Sequence, residues 1–280
     1  NSLVGLKPTT GSLSRSGVVP ISSTLDTTGP MARTVRDTVA LFNAMTGYDQ
    51  ADTAMPRLTE DLTLLVRDAD LSGLRLGFPT ALALEPLIVA AVAKLEAAGA
   101  IIVPVEFTPP DLEEEVQFMG AEMVRDLASY LQQYASPDVV IESLSDLQAF
   151  NLAASDERAP YGQALVDQMV GFETFFKSDA QAGEGEIARL KHHVVSEVGG
   201  YLDTLFSFHN LDALVRINNS GASAGAFANY PALTIPAGYR ETGQPVGVTF
   251  YTPSFQEQRL IDIGVKLEER YAVRRPPADY

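Results

Sequence analysis

Cysteine is absent from this 280-residue sequence. The absence excludes disulfides, thiol nucleophiles, iron–sulfur clusters and thiolate zinc sites. No apolar run approaches the roughly 18 residues that a membrane span needs. The first residues also lack the basic start and continuous apolar stretch of a signal peptide. We therefore expect a cytoplasmic protein with no membrane partner, while a signal on a longer precursor stays open.

Basic residues are few compared with acidic ones. The chain has 20 Lys and Arg against 36 Asp and Glu, which gives a formal net charge of −16. Nucleic-acid phosphates and anionic lipids require clustered Lys and Arg, so we expect no nucleic-acid partner. The acidic surplus instead favours solubility.

Histidine is scarce, and its positions do not indicate a metal site. His192 and His193 are adjacent on a predicted helix, where neighbouring side chains point in different directions, and His209 stands apart. The HExxH, GxSxG, GxGxxG and GxxxxGK[ST] motifs are all absent. We therefore expect no metal, no cofactor and no Ser-His-Asp catalysis.

Hydrophobic periodicity predicts an α/β fold. Strands at 74–78 and 101–105 enclose a helix at 85–98, which is a βαβ unit and implies parallel pairing. Thr34 is a predicted N-cap for a helix at 34–46. Further elements are helices at 112–133, 143–154, 162–176 and 184–208, strands at 211–215, 231–236 and 246–251, and a helix at 255–271.

This order predicts a single α/β domain over residues 1–280, incomplete at its amino terminus. We expect a mixed, largely parallel central sheet that is flanked by helices. Residues from about 111 to 208 would form a helical insertion in that domain.

Two local features are candidates for chemistry. Residues 220–225 (SGASAG) could form a tight turn, line a pocket or provide a nucleophilic Ser, although no Lys base is close in sequence. Lys7 stands before Pro8 and could act as a base only if burial lowered its pKa.

An ordered series of motifs runs through residues 5–37 and is followed by Gly47, Asp49 and Asp52. The motifs of the series are GLKPT (5–9), Gly11, Ser14, GVVP (17–20), DTTGP (26–30) and RTVRD (33–37). The series resembles the segment that follows the nucleophile in the amidase signature family, and later stretches such as LSGLRLGFP and YPALTIPAGYRETGQPVGVTFY are similar to that family's later units. The chain looks most like the bacterial peptide amidases, and it is also similar to the amidotransferase A subunits.

The resemblance implies amide hydrolysis by a Ser–cis-Ser–Lys triad, with an acyl-enzyme and no cofactor. The family's Gly-Gly-Ser-x-Arg stretch falls before the equivalent of Asn1, so all three triad residues are expected upstream of this sequence. The resemblance also implies a substrate pocket near Ser220, Gly221, Asn229 and Tyr230. Asp26 and Arg33 would support the loop behind the nucleophile, or would form a purely structural clamp. After residue 215 the connection is shorter than in the family pattern, through a deletion or an omission.

Three functions therefore remain open. The first is an amidase that acts on a linear or peptide amide. The second is a catalytically inactive binding or assembly module, and the third is a glutamine-hydrolysing amidotransferase A subunit. The expected partners are a small-molecule or peptide amide and either a complementing amino-terminal fragment or a second copy of the chain, because residues 3–6 would otherwise expose a strand edge.

Overall fold

A computed structural model of the chain describes residues 1–52, 55, 62–178 and 180–276. The predicted domain also contains residues 53, 54, 56–61, 179 and 277–280, which lie outside the described residues. The strands are β1 (Val4–Lys7), β2 (Met31–Ala32), β3 (Arg75–Pro79), β4 (Ile101–Val105), β5 (Ala213–Ile217), β6 (Ala232–Tyr239) and β7 (Pro245–Tyr251).

The helices agree with most of the predicted segments. They are α1 (Val35–Met45), α2 (Pro86–Glu96), α3 (Glu114–Tyr134), α4 (Leu144–Leu152), α5 (Ser155–Arg158), α6 (Ala164–Ser178), α7 (Ala180–Val194), α8 (Gly200–His209), α9 (Ala222–Phe227) and α10 (Glu257–Arg270). Thr34 caps α1, because its hydroxyl accepts a hydrogen bond from the Asp37 amide at 3.0 Å. A 3₁₀ turn covers Thr80–Leu84, and a π-helical turn covers Val195–Gly199. In the described residues no helix is both long enough and apolar enough to cross a membrane.

The described strands form a seven-stranded mixed sheet in the order β2-β1-β6-β7-β5-β3-β4. The mixed α/β fold is thus confirmed, and so is the parallel pairing of β3 with β4 across α2. The detail that the sheet would be largely parallel was wrong. Only β3–β4 and β3–β5 are parallel among the described strands, and the other pairings are antiparallel. For β6 and β7 the reason is the short turn that joins them, because such a turn can connect only antiparallel strands.

The residues divide into two compact units. The first unit contains Asn1–Ser14, Thr27–Pro110 and Val198–Tyr280, and it carries the sheet. Its core lies between the sheet and helices α1, α2 and α10, and includes the fully buried side chains of Phe42, Ile88, Leu95, Leu233 and Phe250.

The second unit contains Arg15–Asp26 and Asp111–Glu197. Helix α3 packs on α6 and α7, and a small core forms around Leu127, Leu144 and Met169. The buried Glu122 accepts hydrogen bonds from the Ser22 hydroxyl and from the Thr24 amide and hydroxyl. The predicted insertion at 111–208 overlaps this unit, although α8 groups with the sheet. The single-domain interpretation stays a prediction.

Candidate functional site

The two faces of strand β6 differ in chemistry. Leu233 and Ile235 belong to the apolar core that α1, α2 and α10 cover. The alternate residues point to the other face, as strand geometry requires, and there Thr234 lines an open cavity. The sheet therefore buries one face in the core of its unit and exposes a more polar face to a cavity.

The cavity has a volume of about 820 Å³ and lies entirely within the first unit. Its walls come from β1, β2, β6, β7 and the turn that follows β5. Among the described lining residues, Lys7 is the only one with a charged side chain. None of these described lining residues is acidic, although the chain as a whole has 36 acidic residues.

Strand register brings Lys7 close to Tyr251. Lys7 pairs with Ala232 on β6, and Ala232 pairs with Tyr251 on β7. The three residues thus form one row across the sheet, and all three line the cavity. Adjacent strands are about 4.8 Å apart, so the Lys7 and Tyr251 backbones are separated by about 10 Å. The small Ala232 side chain leaves space between the two longer ones.

Lys7 is a partly buried cation with little compensation. Its ammonium donates to the Pro8 carbonyl at 3.1 Å and forms no salt bridge with a described residue. Burial lowers the pKa of Lys7 to about 8, and the nearby Glu257 carboxylate opposes this shift only in part. An appreciable fraction of the Lys7 side chains is therefore neutral slightly above neutral pH. The sequence alone could not reveal the burial that causes this shift.

Tyr251 is held by close packing. Burial raises the pKa of its hydroxyl to about 12, so the hydroxyl remains a hydrogen-bond donor. Gly225 of α9 makes room for the ring, because a Cβ at that position would come within 2.4 Å of a ring carbon. The Tyr251 hydroxyl makes no hydrogen bond to another described side chain or carbonyl. The Tyr251 O–H group therefore lies at the cavity wall without an acceptor among the described residues.

A second row of the sheet carries a chain of hydroxyl groups. The Thr234 and Thr249 hydroxyls are 2.8 Å apart, and Thr249 donates to the Asn218 carbonyl at 2.5 Å. Because Thr249 uses its proton there, Thr234 must donate to Thr249. The Asn218 side chain in turn accepts from the Gly247 amide at 2.8 Å. These bonds fix the turn after β5 to the cavity wall.

The GLKPTT turn is anchored at both threonines. The Thr9 amide donates to the buried Glu257 carboxylate at 2.7 Å, and the Thr9 hydroxyl accepts from the Phe255 amide at 2.8 Å. The Thr10 amide donates to the Asn229 side chain at 2.7 Å. The turn that carries the strongest motif is therefore held by the start of α10 and by the loop after α9.

Comparison with known proteins identifies the family of this chain. The model of the amidase family matches residues 1–215. The chain belongs to the amidase family. A probable amidase of Arabidopsis thaliana is 32% identical over 294 residues, which cover 99% of this chain and 54% of that protein. The glutamyl-tRNA(Gln) amidotransferase A subunit of Rhodospirillum rubrum is 29% identical over 321 residues, which cover 99% of this chain and 59% of that protein. The chain thus spans little more than half the length of these curated amidase-family relatives.

Solved structures agree with this assignment. The native peptide amidase from Stenotrophomonas maltophilia has a TM-score of 0.84 and 35% identity, with 100% of this chain and 61% of that chain covered. The glutamyl-tRNA(Gln) amidotransferase A subunit from Thermotoga maritima has a TM-score of 0.61 at 19% identity, with 96% of this chain and 58% of that chain covered, and supports the fold alone.

The residues that the amidase resemblance assigned to the pocket lie at different places. Ser220 and Gly221 border the cavity without lining it, whereas their neighbours Asn219 and Ala222 do line it. The Ser220 hydroxyl accepts from the Arg216 guanidinium at 2.5 Å, and Arg216 stacks on the Phe107 ring at 4.0 Å. This segment contacts the edge of the cavity but holds its Ser in a hydrogen bond with a cation.

Asn229 and Tyr230 support the structure from inside. Asn229 anchors the turn at Thr10, and its own carbonyl accepts from Ser254 at 2.9 Å. The Tyr230 hydroxyl donates to Asp203 at 2.6 Å, and burial strongly raises the pKa of this phenol. The structure does not place either side chain on the cavity wall.

The two loop-support residues belong to different units. The Asp26 carboxylate accepts from the Ile21 and Ser22 amides at 2.7 and 2.9 Å, which closes a turn in the second unit. Arg33 is exposed in the first unit, and no partner of its side chain is found among the described residues. The Asp26 carboxylate is therefore held by backbone amides of its own loop, and the support of the loop behind the nucleophile stays a prediction for both residues.

Sequence reasoning missed Tyr251, Asn218 and Glu257. Tyr251 ends a strand whose alternate residues Thr249 and Gly247 are small or polar, and this alternation is the signal that marks the cavity face. Asn218 has a positive φ of 50°, which favours Asn over most residues. Glu257 carries no local signal of its contact with Thr9.

Proposed function

We propose that this chain forms the sheet and one wall of the active site of an enzyme that hydrolyses a linear or peptide amide. The support is the similarity to the peptide amidase structure, at 35% identity and a TM-score of 0.84. The observation that carries the proposal is the position of the GLKPTT turn, which is anchored by Glu257 and Asn229 and continues directly from the cavity-lining strand β1.

The proposed reaction follows the triad that the resemblance implies. A Lys takes a proton through a bridging Ser from a nucleophilic Ser, whose oxygen attacks the amide carbonyl. The C–N bond breaks, the nitrogen takes up a proton and leaves as ammonia or an amine, and water then hydrolyses the ester. Backbone amides stabilise the oxyanion in both steps, and no metal or organic cofactor is required.

Residues that match the triad are not found in residues 1–280. We therefore propose that a further polypeptide segment supplies them. The supplier would be a complementing amino-terminal segment, in the same protein or as a separate piece. In this arrangement the present chain positions the loop behind the nucleophile, with Asp26 and Arg33 as its supporting residues. Ser220 and Gly221 would contact substrate at the cavity edge, with Asn229 and Tyr230 behind them.

Ammonia release tests this proposal. The protein isolated from its natural source should release ammonia from an N-acetylated dipeptide amide, and its intact mass should exceed 30.1 kDa. The 280-residue chain alone should release none. Turnover by the chain alone would contradict the assignment of the triad to other polypeptide, and a natural protein of about 30 kDa with no activity would favour the inactive binding module.

Glutamine hydrolysis is the second candidate. The similarity to the amidotransferase A subunit of Rhodospirillum rubrum, at 29% identity, favours it. The same assay with glutamine decides between the two, because a preference for glutamine over the peptide amide would assign the chain to this second class. The cytoplasmic location stays a prediction in either case.

A further inference from the structure

The cavity holds two polar groups whose hydrogen-bond donors are not all used by the described residues. Lys7 contributes an ammonium with three N–H donors, of which the Pro8 carbonyl accepts one. Tyr251 contributes a phenol whose donor finds no acceptor among the described residues. Both residues line the same cavity and are in register across Ala232.

Buried cations in proteins are normally paired, because removal of a charge from water is costly. Lys7 departs from this rule, since no acidic side chain is among the described residues that line the cavity. The nearest charged groups do not compensate it directly. Glu257 acts on Lys7 only through the long-range field while it binds the Thr9 amide, and Arg216, which lies near Tyr251, adds a second positive charge.

We infer that Lys7 and Tyr251 form a binding site for the carboxylate group of a small ligand, which lies over Ala232 between the two side chains. A carboxylate offers two acceptor oxygens and a full negative charge, so it matches one ammonium and one phenol donor. The Thr234–Thr249 row, whose donors are already used within the protein, would contact the remainder of the ligand. This inference concerns binding by the chain itself and does not depend on amide hydrolysis.

A matched pair of ligands tests the inference. N-acetylglycine and N-acetylglycinamide differ in the carboxylate but have nearly the same size. In isothermal titrations of the 280-residue chain near neutral pH, we expect the acid to bind about tenfold or more tightly than the amide, as is typical for a hydrogen bond with a charged group. The preference should disappear when the pH is raised well above 8, where Lys7 loses its proton.

Three variants locate the site. Lys7→Met should weaken N-acetylglycine binding about tenfold or more, and Tyr251→Phe should weaken it about fivefold, because the latter removes a neutral donor. Lys94→Met is the matched control, since it removes the same charge from an exposed position on α2 and should leave the affinity unchanged. Equal binding of acid and amide, or unchanged binding by Lys7→Met, would overturn the inference.

A measurement on the unaltered protein guards against variants that fail to fold. In protein labelled with ¹³C-lysine, the Lys7 side-chain signal should titrate near pH 8 without ligand. Saturating N-acetylglycine should raise that midpoint, because the carboxylate stabilises the protonated amine. A midpoint that does not move would refute carboxylate binding at Lys7.

Discussion

Replacement of Lys7 by methionine should stabilise the first unit of this chain. Methionine keeps the length and the apolar stem of the side chain but removes the charge. In the native structure that charge is partly buried and has one neutral acceptor, the Pro8 carbonyl. The removal of an ion that is poorly compensated eliminates its desolvation cost, so the free energy of unfolding should rise.

The size of the effect follows from the lowered pKa of Lys7, which is about 8 in the folded protein against 10.5 ordinarily. At about 1.4 kcal/mol per pKa unit, this difference corresponds to a penalty of up to about 3–4 kcal/mol. Below pH 8 both states hold the proton and the penalty is complete. Between 8 and 10.5 the unfolded chain binds more protons than the folded one, so wild-type stability should rise with pH and approach that of the variant.

Urea unfolding at a series of pH values measures this change. The transition of the first unit, followed by tyrosine fluorescence and circular dichroism, should show the Lys7→Met advantage near neutral pH and its loss toward pH 10.5. The exposed Lys94→Met control should change stability by no more than about 0.5 kcal/mol. A Lys7→Met variant that is less stable near neutral pH, or a difference that is independent of pH, would refute the reasoning.

Two other changes test packing and charge in the two units. Gly225→Ala should destabilise the first unit by about 2 kcal/mol in urea unfolding, because the new Cβ would collide with the Tyr251 ring at 2.4 Å. Gly171→Ala, in α6 with nothing within 4 Å, should instead stabilise by about 1 kcal/mol through helix propensity. Arg125→Met should destabilise the second unit by about 1–3 kcal/mol, because it removes a cation 3.1 Å from the buried Glu122 carboxylate. A loss no larger for Gly225→Ala than for Gly171→Ala, or an unchanged urea midpoint for Arg125→Met, would count against these contacts.

The local elements of this fold could be predicted from the sequence because their signals are local. Thr34 and Asp37 lie within one turn of each other, so the cap of α1 was predictable. Helix α2 forms the crossover between β3 and β4, and a helical crossover of this kind returns the chain for parallel pairing. The sequence predicted one continuous helix at 184–208, and this prediction was wrong. The structure interrupts it with a π-helical turn at Val195–Gly199, where a Cβ on Gly199 would come within 3.4 Å of the Ala228 backbone.

The candidate site was much less predictable, because its residues meet only through the sheet. Lys7 and Tyr251 come from nearly opposite ends of the chain and are brought into one row by the register of β1, β6 and β7. No local pattern in a single sequence encodes that register. The sequence pointed to Ser220 and Gly221 for their small size, but small residues also serve tight turns, and here Gly221 has a φ of 81°.

The stability and binding predictions for Lys7 are two sides of one argument. An isolated cation in a protein wall costs free energy in the absence of a ligand, and the same charge makes an anion bind more tightly. If Lys7→Met stabilises the chain and also loses carboxylate binding, the cost of the buried charge is accounted for by ligand recognition. If the variant is more stable but binds N-acetylglycine as well as the wild type does, the charge is costly without serving this ligand, and the carboxylate site is refuted.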